Sequence, residues 1–508
     1  MRTVLVSALS AFAICPLATA QNSPATPVLH TPLERATFTR ISTSAEITAF
    51  LDEFVAHYRG IAFKAIVGKS VQGRAIEALE FRVEREGESQ PATVLVIGSQ
   101  HGAAEPAGGE ALLVIARDLA GGVLSTLRDD IDIILIPNAN PDGRDLVKRA
   151  NANGVNINTD FVSLSQPESR VLEEALTRYR PDAVLDSHES AVLKRKTLAR
   201  EGYLTDFNAQ FEIANNPAVP AAVREFALNA LLPELIARVS AAGLPAQRYV
   251  GEITSIKQPI THGGLTLRNF RNTAGISGAV SFLVETKLDS REDAYPTYRN
   301  IAVRLERQLL CIRTFLTLMH ERRADLVAHT AAARNALHKE PLILNATYAL
   351  DSAHPTLPIP MRRLDTRELE VLEFRDHRKV VMGEPIPYPP MLVVTRHIDK
   401  IRDVLDRHGL NYWSLTRPTS ADVIAMRFDR ANNSVQFAAA SELRKLLEID
   451  PGGMFIDLAQ PNGRYAMLLL DPRSISSIFH APEFASLVQP DEDFFIYRTF
   501  KGATRSPP

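Results

Sequence analysis

Cysteine is almost absent from this chain of 508 residues, which contains two. Cys15 sits in the N-terminal apolar run, and Cys311 lies among the apolar residues 309–312, in a helical context. Without a partner, Cys311 reads as a small core residue, and neither a disulfide framework nor thiol catalysis is available. Charge of one sign is equally scarce. Fifty-seven Lys and Arg face 59 Asp and Glu, a formal net charge of -2, which argues against a nucleic-acid surface. Long apolar runs are confined to the start of the chain. Residues 4–15 follow Arg2 and precede Ala18-Thr19-Ala20. The run is shorter than the roughly 20 residues that a membrane span requires and has the pattern of a secretory signal cleaved after Ala20. The expectation is an exported protein, periplasmic or extracellular, with no membrane span in the mature chain.

The composition is ordinary for a globular protein, with 45% hydrophobic and 23% charged residues, and the length predicts two or three domains. Residues 21–41 read as a mobile leader. A helix then begins at Thr43, with Glu46 completing a capping box and Ile47, Phe50, Leu51, Phe54 and Tyr58 on one face. Residues 67–76 predict two short strands around a glycine turn. Four apolar β-type segments follow at 94–97, 131–136, 183–187 and 281–284, and helical patterns lie near 106–119, 167–179, 217–242 and 295–322. This alternation over residues 42–335 indicates an α/β domain with a mostly parallel mixed sheet flanked by helices. Residues 340–508 read as a smaller α/β or β-rich accessory domain of unknown role, with a helix at 399–408 and β-like runs at 423–428 and 466–470.

Each core strand ends in polar residues. The first runs into His101 and Glu105, the second into an Asn- and Arg-bearing loop over 138–160, the third into His188 and the fourth into Glu285. Ligands bind beyond the carboxyl ends of strands in such sheets. Two imidazoles and a carboxylate hold a catalytic zinc with one position left open, and a further carboxylate beside that position is the base that a hydrolytic water needs.

The motifs Gly68-Lys69-Ser70-Val71-Gln72-Gly73-Arg74, Gln100-His101-Gly102 with Glu105-Pro106-Ala107-Gly108, Asn138-Ala139-Asn140-Pro141-Asp142-Gly143, residues 149–158, Asp186-Ser187-His188-Glu189 and Phe282-Leu283-Val284-Glu285-Thr286 occur in this order. Together they resemble the zinc carboxypeptidase family, the carboxypeptidase A-like metallopeptidases, over residues 43–325. The resemblance implies zinc held by His101, Glu105 and His188, with Glu285 as general base. It also implies Arg149 polarising the scissile carbonyl and Asn158 binding the substrate's terminal carboxylate.

The chain departs from the family pattern twice. Three residues separate His101 from Glu105 where the family has two, with Glu110 as the less favoured substitute acid. Thr159 stands where the family has the arginine that grips the C-terminal carboxylate, and a hydroxyl cannot replace a guanidinium fork. Arg268 and Arg271 are the candidates to supply that charge from another loop. The leading expectation is a zinc metallopeptidase that removes C-terminal residues from peptides. Its alternatives are a zinc amidohydrolase acting on acylated amino acids or on internal or cell-wall peptide amides, and a noncatalytic binding protein on a peptidase scaffold. The oligomeric state is not legible.

Overall fold

The computed structural model describes residues 28–82, 91–192, 196–288, 300–430, 437–489 and 492–500; the expected signal segment lies outside them. Eight strands form the central sheet: β1 (Phe63–Lys69), β2 (Ala75–Phe81), β3 (Ala92–Ile97), β4 (Ile131–Ile136), β5 (Ala183–Ser190), β7 (Ala209–Ile213), β8 (Ala246–Arg248) and β9 (Val280–Lys287). The order is β1-β2-β4-β3-β5-β9-β7-β8. β4, β3, β5 and β9 run parallel, whereas β7 lies antiparallel to β9.

The central strands are apolar throughout because both faces of the sheet are covered. Val94 and Val96 of β3 pack on one side with the helices Ala107–Gly121 and Ile301–Glu321. Leu95 and Ile97 face the opposite side, against the helices Pro167–Tyr179 and Phe270–Ile276. Cys311 is fully buried in the first of these cores and free, as expected. The helix Ser44–His57 carries the full capping box of Thr43 and Glu46. No described helix is long and apolar enough to cross a membrane.

Two expectations are corrected. The leader is held down from residue 28 onward: Leu29 and Leu33 are buried, and Glu34 forms a two-pronged pair with Arg117. A short helix, Pro32–Arg35, capped by Thr31, directs these side chains onto the core. Residues 466–470 belong to the helix Gly463–Leu470, whose eight residues are all buried. A short, continuously apolar run has no polar face to reveal its period, so strand and helix are indistinguishable in sequence.

The C-terminal half is β-rich, with a six-stranded antiparallel sheet that includes Met391–Val394, Thr419–Arg430, Phe437–Ile449 and Ile496–Thr499. It is not detached from the first half. The strand Thr356–Arg363 pairs with β6 (Tyr203–Thr205), a short strand between β5 and β7. Arg464, buried in its helix, donates to the carbonyls of Ala218 and Leu337, and one apolar cluster includes both Phe315 and Leu469. A chain ended at residue 339 would strip this cover from the core. By calorimetry it should lack the cooperative thermal unfolding expected of the full chain.

Candidate metal centre

The turn after β3 is built around close backbone approaches. A Cβ on Gly98 would lie 2.6 Å from the Gly109 nitrogen, and one on Gly102, at φ +51°, would lie 2.5 Å from the Gly143 carbonyl carbon. Between His101 and Glu105 the chain makes one turn of 3₁₀ helix, Gly102–Ala104. This turn absorbs the additional residue and brings the two side chains together. His188 enters from β5, and ligand atoms of His101, Glu105 and His188 all lie within 4.8 Å of one another in a buried cluster.

Contacts around the cluster fix its orientation. His188 Nδ1 lies 3.1 Å from Glu105 Oε2, while its Nε2 lies 2.8 Å from Asp186 Oδ2. Asp186 in turn accepts from Gln100 Nε2 at 2.6 Å. A carboxylate on the far nitrogen of an imidazole fixes its tautomer and turns the other nitrogen toward the centre. Glu105 Oε2 also accepts from the Glu189 backbone N–H at 3.1 Å. Arg149 reaches in from its loop, with Nη1 on Glu105 Oε1 and Nη2 2.9 Å from His101 Nε2. Glu285 pairs in register with His188 across β5 and β9 and so shares its sheet face.

The polar atoms left over fit a bound cation. Among the described residues, His101 Nδ1 and Glu285 Oε2 are buried without a hydrogen-bond partner. Burial pushes the His101 pKa down to about 3, leaving a neutral imidazole that can act as a ligand. Burial opposes the charge on Glu105, but His101, Arg149 and His188 more than compensate and hold it below the usual carboxylate range. Burial likewise works against imidazolium at His188, yet Asp186 and Glu105 prevail and raise its pKa. Burial and then the Glu105 charge push Glu285 up to about 8. Two nitrogens and one oxygen, crowded by repelling acids, form a donor set suited to a divalent metal such as zinc.

Glu110 is excluded from this set. Its carboxylate is fully buried against Arg144 Nη1 at 2.8 Å and the Ser42 N–H and hydroxyl. Asn158 lies at the edge, with Nδ2 3.4 Å from His188 Nε2 and Oδ1 accepting from the Phe270 N–H at 3.2 Å. Thr159 is exposed and donates to the Asn156 carbonyl of its own turn. Arg268 is exposed, but Arg271 is buried in the first turn of the helix Phe270–Ile276, and its Nη2 donates to Asn215 Oδ1 and the Gly264 carbonyl at 3.1 Å each.

Sequence reasoning gave no role to the residues that support this cluster. Asp186 was legible, because alternate residues of a strand share a face and it lies two before His188. The buried pair Glu189–Arg304 and the bond from Gln308 to the His188 carbonyl come from a helix more than 110 residues away, and the bond from Gln308 to the Thr286 hydroxyl spans 22 residues, all with no local signal.

Residues 47–193 match the model of the zinc carboxypeptidase family. Over this stretch the chain is similar to that family. Probable carboxypeptidase 2 of Arthroderma benhamiae is 29% identical over 234 residues, 45% of this chain and 44% of the relative. Carboxypeptidase D of Mus musculus is 31% identical over 153 residues, 27% of this chain and 11% of that protein. The chain thus spans under half the length of these curated relatives. A metallo-carboxypeptidase from Burkholderia cenocepacia superposes with a TM-score of 0.43 at 16% identity, covering 56% of this chain and 71% of its own.

The Glu110–Arg144 pair beneath the turn gives a stability test. Arg144→Met leaves a buried carboxylate uncompensated and should cost about 3–5 kcal/mol in chemical denaturation. Glu110→Met combined with Arg144→Met should recover much of that loss.

Proposed function

We propose that this chain is an exported zinc-dependent metallopeptidase that hydrolyses C-terminal peptide bonds, with His101, Glu105 and His188 as the zinc ligands. The observation that carries the reading is the buried triad with Glu285 in register beside it. Export is supported by the leader pattern of residues 1–20.

Zinc, when bound, supplies a Lewis acid for the scissile carbonyl and acidifies a water toward neutrality. Glu285 Oε2, unpartnered among the described residues, takes a proton from the attacking water and passes it to the leaving amine nitrogen. Arg149 donates to the carbonyl oxygen as negative charge develops there. Asp186 keeps the proton of His188 on Nε2, so that Nδ1 can act as the ligand. Asn158 offers its amide to the substrate's terminal carboxylate.

The charge for that carboxylate comes from Arg271 rather than Arg268. Arg271 is 3% exposed, its Nε has no partner, and no carboxylate lies within ion-pair distance of it among the described residues. A guanidinium buried without a counter-ion is costly, and an anionic ligand offsets that cost. Burial, and then the charges of Glu285 and Glu252, push the nearby Tyr249 phenol up, while Arg271 opposes them. The outward-turned Thr159 favours a second reading, an amidohydrolase acting on acylated amino acids or internal amides.

The purified protein should contain about one zinc per chain by elemental analysis, and His188→Ala should lose it. Absence of zinc after reconstitution would favour the noncatalytic binding-protein alternative. Glu285→Gln should abolish turnover while keeping the metal; unaltered hydrolysis would refute the mechanism. Free and C-terminally amidated peptides separate the two hydrolase readings. A carboxypeptidase should lose most of its rate on the amide, and Arg271→Met should raise KM for the free peptide about tenfold or more.

A further inference from the structure

Two residues beyond Glu285 on β9, on the same sheet face, stands Lys287. Its Cα is roughly 7 Å further along the strand. Lys287 pairs with Asp206, which lies between β6 and β7, and the same carboxylate accepts from Arg362 Nη2 at 2.5 Å. Arg362 Nη1 is held by the Arg367 carbonyl at 2.5 Å. The pairing of Arg362 with Leu204 in β6 fixes the strand that carries Arg362. Lys287, Arg362, Arg367 and Asp206, with Val192 and Leu204, line a cavity of about 330 Å³. Among the described residues, three cations thus face a single lining acid.

The direction of the strands orients a substrate across this surface. Arg271 bonds Asn215, which follows Ala214; the Ala214 N–H is bonded to Ser281 near the start of β9. Lys287 ends that strand, so the two cations flank Glu285 from opposite sides. A peptide with its terminal carboxylate at Arg271 and its scissile bond at Glu285 runs its upstream residues toward the Lys287 cavity.

We propose that this cavity binds an acidic side chain of the peptide, located one to three residues upstream of the scissile bond. The inference rests on the peptidase reading of the centre and on Arg271 as its carboxylate receptor. A carboxylate entering the cavity gains charge-assisted hydrogen bonds from cations that share one aspartate.

The test uses peptides with a common C-terminal residue and Glu or Gln at each of the three upstream positions. At low salt the wild-type protein should favour Glu at one position by about tenfold in KM. Added salt should shrink that ratio toward one. Arg362→Met should collapse it, Arg362→Lys should retain part of it, and Arg362→Glu should reverse it toward a Lys-bearing peptide. Equal KM values for all Glu and Gln pairs, with both peptides hydrolysed, would overturn this proposal and leave the peptidase reading intact. Calorimetric binding of the same peptides to Glu285→Gln provides a second readout. A Glu preference there that Arg362→Met removes, without hydrolysis by the wild type, would support the cavity and defeat the peptidase reading; equal affinities would overturn the cavity.

Discussion

Glu105, Asp186 and Glu285 meet His101 and His188 at the buried ends of three neighbouring strands, and carboxylates crowded in a poorly solvated place repel one another strongly. Positive charge must therefore be supplied. In the protein alone it comes from Arg149, bonded to Glu105, and from an imidazolium at His188 between Glu105 and Asp186. Glu285 Oε2 has no hydrogen-bond partner among the described residues, and burial together with the Glu105 charge pushes the group up to about 8. A divalent cation held by His101, Glu105 and His188 would supply positive charge to the same carboxylates. The site's chemistry and its electrostatic strain thus have one origin.

That concentration of charge stands because the surrounding elements are tied to it by further buried polar contacts. Arg304 grips Glu189 with bonds of 2.6 and 2.9 Å, and Glu189 also accepts from the Ala107 N–H at the start of the helix that follows the metal-centre turn. Gln308 joins β5 to β9 through the His188 carbonyl and Thr286 hydroxyl. On the other flank, Asp142 accepts from the Ser70 hydroxyl, the Gln72 N–H and Arg74, docking the β1–β2 hairpin onto the loop after β4. The motif at residues 68–74 therefore acts by holding a wall of the site. Each bond is modest in net terms, but the groups are buried, and leaving any one unpaired costs its full desolvation.

The order of strands and helices in the first half was readable because the core strands are apolar on both faces and break abruptly into His, Glu or Asn. The capping box at Thr43 and Glu46 was readable for a different reason, since its partners are three residues apart. What escaped depends on distance along the chain or on a missing period. The helix Gly463–Leu470 has no polar face to reveal it. Nothing local distinguishes Arg268 from Arg271; only the folded loop leaves one in solvent and buries the other against Asn215. Pairing of β6 with a strand 156 to 160 residues later was equally invisible, and with it the joining of the C-terminal half to the first through a separate three-stranded sheet.

The spacing of His101 and Glu105 illustrates how backbone geometry overrides a motif count. With two intervening residues, side chains at i and i+3 fall together on a helical turn. With three, a continuing α-helix would place i+4 on the same face too, but one turn higher. Here the chain uses a single 3₁₀ turn, and Glu105 leaves it at φ -134° and ψ 66°, outside helical space, before Pro106 opens the next helix. That break turns the carboxylate back beneath His188 instead of along the helix axis. Gly102 makes the turn tight enough, since its positive φ and the Gly143 backbone against it leave no room for a side chain. The additional residue is therefore accommodated by the glycine and the exit dihedrals, and the cluster of His101, Glu105 and His188 forms without the family's spacing.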